Sequence, residues 1–223
     1  MQIDIESILR EELVCQGISL VGGCTTDAIR YAYHPSLASA AQGLTHALSL
    51  GYRLSDAVID SIVDHPTLLY KHHYQTANWI LDQTAIRTVA FLQKHGYRAL
   101  AIPASQVVDW EDMRGHLSHR LVAYHAGHGW IGRSGLVVHP LWGARIRFVT
   151  VLTDFPFTVG RPYEGGCGTC RRCEDLCPAG AIRDGTCDLE RCRAKLREFS
   201  RLRGIGHHIC GVCVRACPVG GEK

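Results

Sequence analysis

The sequence predicts an α+β protein in two parts, and three observations carry the prediction. Helix-like and strand-like segments alternate from the N-terminus to about residue 160. Beyond that point aliphatic content falls, and short stretches rich in Cys, Gly and Arg take over. Nine of the eleven cysteines lie between Cys167 and Cys217. Between the two parts, residues 155–162 contain Pro156, Gly160 and Pro162 and read as a linker. The expected division is a domain over 1–160 and a smaller one over 161–223, a size that suits one large domain with an appendage.

The elements follow in order. Residues 3–16 predict a helix, with Ile5, Ile8, Leu9, Leu13 and Cys15 as its apolar stripe and Gly17 as its stop. Ile18–Val21 predicts a short strand ended by Gly22 and Gly23. His46–Leu54 predicts a second strand, and Asp56–Asp64 a short helix halted before Pro66. Residues 75–95 give the clearest helix. Ala77, Leu81, Ala85, Thr88 and Leu92 recur at steps of three or four, Lys94 and His95 suit the last turn, and Gly96 suits the position after it. Ala99–Ile102 predicts a strand ended by Pro103, Gly115–Ala126 a helix, and 127–132 a turn. Leu136–Val138 and Ile146–Thr153 have the β-branched and aromatic content of strands.

Composition narrows the class. Hydrophobic residues at 46% and charged residues at 20% are ordinary for a globular chain and argue against global disorder. A mean hydropathy of −0.01 and the lack of an apolar run near ~18 residues argue against a membrane span. The N-terminus carries Asp4 and Glu6 and no basic-then-apolar run, so the expectation is a cytoplasmic protein without a secretory leader. Up to residue 160 there are 12 basic and 13 acidic residues; after it there are 12 and 8. Cysteinyl iron–sulfur clusters are negative and would offset that excess, so the arginines alone do not mark a nucleic-acid footprint.

In a chain with no export signal, a cysteine density of this kind points to metal ligation rather than disulfides. The first run is Cys167-x2-Cys170-x2-Cys173-x3-Cys177-Pro178, and the second is Cys210-x2-Cys213-x3-Cys217-Pro218 with Cys192 upstream. The first run has the spacing found in bacterial ferredoxins, where the cysteine before proline serves the other cluster. A tight loop brings three thiolates to three irons of one cube, and the fourth iron is reached from elsewhere. The expected ligands are Cys167, Cys170, Cys173 and Cys217 for one 4Fe–4S cluster, and Cys177, Cys192, Cys210 and Cys213 for the other. Four such thiolates would also close a tetrahedral zinc site, which is the competing reading. Cys187 is the alternative to Cys192, which sits in the helix-like basic stretch Arg191–Arg197. Cys15 and Cys24 read as small buried hydrophobes.

Two further segments precede the cysteines: His128-Gly129-Trp130-Ile131-Gly132-Arg133-Ser134-Gly135-Leu136-Val137-Val138 and Val149-Thr150-Val151-Leu152-Thr153-Asp154. This order resembles the epoxyqueuosine reductases and is more remotely similar to the catalytic core of corrinoid-dependent reductive dehalogenases. The resemblance covers most of the chain and is specific from about Ala126 onward. It implies a nitroreductase-like α/β domain joined to a ferredoxin-like domain with two 4Fe–4S clusters, and a base-off cobalamin between them. It also implies that Gly129, Trp130, Ile131, Gly132, Arg133 and Ser134 contribute to corrinoid binding. Reduced ferredoxin or flavodoxin is then the expected electron donor, and a small molecule or a corrinoid protein the expected acceptor.

Two departures separate the chain from that family's pattern. The strand that carries an aspartate proton donor in epoxyqueuosine reductases resembles Ala99–Ser105, which here has no acid, and Ile102 stands at the donor position. A hydrocarbon relays no proton. The family's C-terminal repeats have no counterpart, since the sequence ends six residues after Cys217. Both departures argue against a tRNA substrate. His72, His73, Tyr74 and His128 are the candidates for a replacement proton donor, with a solvated patch before the long helix as the plain alternative for the first three. The pairs His116/His119 and His125/His128 lack the carboxylates that a dedicated metal site would add. His207 and His208, before Cys210, either hydrogen-bond cluster sulfur or belong to an exposed loop. The leading expectation is an iron–sulfur oxidoreductase that delivers low-potential electrons to a corrinoid and on to an unidentified substrate. The alternative is a non-catalytic module that reduces a corrinoid protein, and a tRNA epoxide reductase ranks behind both.

Overall fold

The computed structural model describes residues 4–112 and 114–218. The chain forms two compact units and enters each more than once. The first comprises the residues up to Tyr52 with Asn78–His128 and Arg147–Tyr163. The second comprises Arg53–Ala77, Gly129–Ile146 and the residues from Glu164 onward. The linker expected at 155–162 lies beside the last of these crossings. The earlier ones leave no compositional trace, because one of them falls inside a continuous helix.

The first unit is built on a sheet of four strands, β1 (Leu20–Thr25), β2 (His46–Arg53), β3 (Ala99–Ile102) and β6 (Ile146–Thr153), in the order β1-β2-β6-β3. β1 pairs antiparallel with β2, Leu20 opposite Gly51, and β3 pairs antiparallel with β6, Ala99 opposite Thr153. Both faces are covered. Val149 and Val151 join a core with Leu9 and Leu13 of α1 (Ile5–Cys15) and Leu81, Ala85 and Leu92 of α3 (Leu68–Lys94). Leu152, next to Val151 and facing the other side, joins a second core with Leu37, Leu117 and Val122, the last from α4 (His119–His125). Neighbouring strand residues point to opposite faces, so β6 buries apolar side chains on both, Val149 and Val151 on one and Phe148 and Leu152 on the other.

Several elements differ from their sequence expectation. β1 continues through Gly22 and Gly23 instead of ending there. A Cβ on Gly22 would meet the Ala126 carbonyl at 2.9 Å, and one on Gly23 would meet the Phe157 ring at 2.7 Å. These glycines admit close neighbours within a strand and do not turn the chain. α3 starts at Leu68, so His72, His73 and Tyr74 lie in its first turns and not ahead of it. The Thr67 hydroxyl accepts from the Tyr70 N–H at 3.0 Å, which supplies the early start. The helix expected over 115–126 is confined to α4, and the expected turn contains the short strand β4 (Trp130–Ile131).

In the second unit β4 pairs with β5 (Val137–Val138), and α2 (Asp56–Asp60) is held by a buried cation. The Arg145 side chain is 6% exposed and reaches Asp56 at 3.0 Å and Asp60 at 2.7 Å. The cysteine-rich part contributes α5 (Arg172–Asp175), the hairpin β7 (Ile182–Arg183) and β8 (Thr186–Cys187), α6 (Leu189–Ser200) and α7 (Val212–Ala216). Asp188 caps α6 by accepting from the N–H groups of Glu190 and Arg191.

Candidate metal centre

None of the eleven cysteines forms a disulfide. The eight expected ligands lie in the second unit, each set by a local device. The Cys170 N–H donates to the Cys167 carbonyl, and Gly168 adopts φ +53° between them. Cys173 rides on α5, and Cys177 follows it, with its Sγ accepting from the Ala181 N–H at 3.3 Å. Cys192 is in α6. Cys213 is in α7, and Cys217 ends that helix in an extended conformation. Gly211, at φ +85°, starts α7 where a Cβ would strike Ile62 at 2.6 Å and Tyr70 at 2.7 Å.

The thiols gather into two sets. Cys217 lies within electrostatic reach of Cys167, Cys173 and Cys170, and Cys173 within reach of Cys167 and Cys170. Cys192 is within reach of Cys210 and Cys177, Cys210 of Cys177, and Cys213 of Cys210, Cys192 and Cys177. The sets adjoin, because Cys213 also feels Cys173. Burial pushes the thiols of Cys173 and Cys217 up to about 11, with the neighbouring cysteines acting in the same sense. Cys192, Cys210 and Cys213 are also raised, first by burial. Thiols crowded and desolvated in this way ionise only when a cation compensates them, which is the electrostatic condition a metal centre meets. Among the described residues, no three His, Cys, Asp or Glu side chains form a ready site for a single metal ion.

Backbone and cations complete the surroundings. A Cβ on Gly132 would lie 3.3 Å from Cys167 Sγ, and one on Gly143 would lie 3.1 Å from Cys217 Sγ. The β4–β5 segment therefore approaches the first set through glycine at two points. Ala144 donates its N–H to Cys217, and Val212 donates to Cys210. Such N–H···S bonds favour anionic sulfur. Cys187, in β8, stands beside the second set, where its thiol hydrogen-bonds Cys192.

The remaining expected site residues are placed differently. Arg133 pairs with Glu174 at 3.0 Å and donates to the Gly168 carbonyl, so it ties the hairpin to the first cysteine loop. Trp130 is buried, Ile131 is 39% exposed and Ser134 is half-buried. The glycines here are explained by chain neighbours. A Cβ on Gly127 would meet the Arg161 carbonyl at 2.7 Å, one on Gly129 would overlap the Val138 carbonyl, and one on Gly132 would meet the Val138 side chain at 2.6 Å. His128 is 7% exposed, stacks on Phe148 at 5.7 Å and approaches the Ser49 carbonyl at 3.3 Å, in the core of the first unit. His72 is exposed. His73 Nε2 accepts from the Ser55 N–H at 3.0 Å, and burial, then the neighbouring His72, lowers its pKa. Tyr74 is half-buried and meets Tyr70 edge-on.

One polar group was not legible as a site in the sequence. At the end of β3, Asp82 Oδ1 accepts from the Ala104 N–H at 2.8 Å, and Arg147 donates to Asn78 at 3.0 Å and to the Ala104 carbonyl at 3.4 Å. His119 bridges Pro103 O at 2.9 Å and Thr150 Oγ1 at 2.8 Å. Asn78 and Asp82, four apart beside the apolar face of α3, were the available signal. Elsewhere in the first unit, a cavity of about 350 Å3 is bordered by Thr26, Tyr33, His34 and Gln42. None of the expected site residues lines it.

An epoxyqueuosine reductase of Bacillus anthracis is 30% identical over 151 residues, which is 64% of this chain and 40% of the relative. That of Staphylococcus aureus is 32% identical over 154 residues, 65% of this chain and 40% of the relative. The chain resembles the epoxyqueuosine reductases. The matched region spans well under half the length of these relatives. Among solved structures, the epoxyqueuosine reductase of Streptococcus thermophilus superposes with a TM-score of 0.70 at 20% identity, covering 97% of this chain and 66% of that one. A catabolic reductive dehalogenase, NpRdhA, in complex with 3-bromo-4-hydroxybenzoic acid, superposes at 0.74 and 20% identity, covering 94% of this chain and 31% of that one. The mixed helix-and-sheet fold is thus shared with both. No family model matches the chain. Among the described residues, no helix is long and apolar enough to cross a membrane.

Proposed function

We propose that the chain is an iron–sulfur oxidoreductase that holds two 4Fe–4S clusters and passes single electrons through them. The observation that carries this reading is the gathering of Cys167, Cys170, Cys173 and Cys217 into one set and of Cys177, Cys192, Cys210 and Cys213 into another. Both sets follow the rule that the cysteine before proline serves the other cluster. Epoxyqueuosine reductase relatives support an oxidoreductase. In this reading the domain expected over 1–160 is nitroreductase-like by resemblance, and the one expected over 161–223 is ferredoxin-like.

The onward acceptor in this reading is a corrinoid, which would supply a low-potential cobalt centre for reduction of the substrate. Its support is the likeness to reductive dehalogenases, one of which is described as B12-dependent. The acid that Ile102 does not supply has a neighbour in Asp82, whose carboxylate is bonded to the chain two residues beyond Ile102. The alternative, a carrier that reduces a separate corrinoid protein, is favoured by the internal packing of the glycines at 127–132. A tRNA substrate ranks last for want of an acid on β3.

The test is anaerobic purification and reconstitution, followed by iron and sulfide analysis and a cobalamin titration. About eight irons and eight sulfides per chain are expected for two cubes. A base-off shift in the visible spectrum at stoichiometric cobalamin supports the resident-corrinoid form. An unchanged spectrum with intact clusters selects the carrier form. Zinc or bare thiols in place of iron and sulfide overturn both.

A further inference from the structure

We infer that the outer face of α6 is the docking surface for an acidic, one-electron carrier protein, and that electrons enter the chain there through the Cys192 set. The inference rests on the cluster reading above. α6 and the turn after it carry six basic residues against three acidic ones between 188 and 203. Cys192, Leu196 and Phe199 form the inward side of the helix, Phe199 at 7% exposure. On the opposite side Ala194, Arg197 and Arg201 are exposed, and Arg203 follows. Arg191 is held by Asp188 at 3.3 Å and Lys195 by Glu198 at 2.6 Å. Arg197, Arg201 and Arg203 enter no ion pair among the described residues. Leu189 at 47% and Leu202 at 39% are exposed at the two ends of the same stretch.

Three features select the partner. The basic face lies on the helix that holds a cluster ligand, so a docked redox group is separated from that ligand by about one helix diameter, roughly 10–12 Å. Exposed cations steer an acidic partner to this place, and the two leucines supply apolar contact of the modest kind typical of transient redox encounters. A nucleic acid fits less well, because Asp188, Glu190 and Glu198 interrupt the positive row and no exposed aromatic residue on α6 offers a base a stacking surface.

The test uses the reconstituted full chain. Iron content and bleaching of the clusters by the methyl viologen radical, a small cation, are measured first; failure at this step defeats the cluster reading and not the docking surface. Reduced acidic ferredoxin is then mixed with the wild type, with R197E/R201E and with R87E, whose arginine is exposed on α3. The expected result is a rate for wild type that falls with added salt and a rate for R197E/R201E about tenfold lower at low ionic strength. R87E stays near wild type, and methyl viologen reduces all three within about twofold. Equal ferredoxin rates for R197E/R201E and wild type overturn the assignment. So does a shift in cluster midpoint potential that accounts for the slower rate, since the arginines would then act on the cluster itself. Loss of tRNA binding in R197E/R201E with unchanged ferredoxin reduction assigns the face to RNA instead.

Discussion

Gly143 stands so near Cys217 that a single added carbon would displace one of them. A Cβ there would lie 2.7 Å from the Pro218 carbonyl, at a φ of +57° that L residues rarely adopt. Nothing in the local sequence marks this glycine, because the crowding comes from a cysteine 74 positions away. The cysteines themselves are the reverse case: their spacing already names the candidate ligands. The contested choice lies between Cys192, beside Cys177 and Cys210, and Cys187, which hydrogen-bonds Cys192. Cys192→Ala is expected to lose about half of the iron while Cys187→Ala retains all of it; iron assays on both variants check this, and the opposite pattern would reverse the assignment. His119 supplies a second test. Its ordinary value of 6.5 falls to about 4, chiefly through burial and also through Arg147, partly offset by the Pro103 carbonyl. The fold therefore favours the neutral ring. Its stabilisation is complete above 6.5 and is lost as pH falls from 6.5 toward 4, where the unfolded chain gains a proton the folded one refuses. Between pH 7.5 and 5.5 this costs roughly 1 kcal/mol. His119→Asn should show a shallower decline of melting temperature over that window, and an identical slope would remove His119 from the account.

At the scale of elements, Arg145 shows how a short helix is held. α2 has five residues, too few to persist alone. Its Asp56 and Asp60 converge on one guanidinium that is almost wholly buried, while the carboxylates remain 41% and 60% exposed. Replacing Arg145 by Met leaves the acids partly hydrated, so the expected loss is about 1–3 kcal/mol, below that of a fully buried broken pair. Thermal unfolding should register it as a drop of several degrees, with hydrogen exchange accelerating first at residues 56–60. No drop would mean that apolar packing of Ile59 and Ile62 suffices. Element periodicity was legible where one face is buried: Ala77, Leu81, Ala85, Thr88 and Leu92 all lie inside. It failed at Gly22 and Gly23, read as a strand end, because close approach from Ala126 and Phe157 is a tertiary fact. It failed again at the start of α3, whose early turns mix histidine and tyrosine with exposed leucines and show no single stripe.

On the scale of the whole molecule, the chain alternates between two compact units, and only one contains the candidate ligands. The two large apolar clusters lie in the other. Removing iron with a chelator under anaerobic conditions should therefore raise hydrogen exchange across 164–218 while α1, β2 and β6 stay protected. Uniform exchange throughout the chain would show that both units depend on the metal. The sequence by itself determined the spacing of the cysteines and the alternation of helices and strands, because cysteine motifs and amphipathic burial are both written in short-range spacing. Only the tertiary structure decided that the segment 129–146 backs the first cysteine set, that Arg133 is spent on Glu174, and that Asp82 and His119 each hydrogen-bond the backbone just past β3. Those contacts join residues 16 to 74 positions apart, and no local pattern encodes which distant partner a folded chain will bring within a few ångströms.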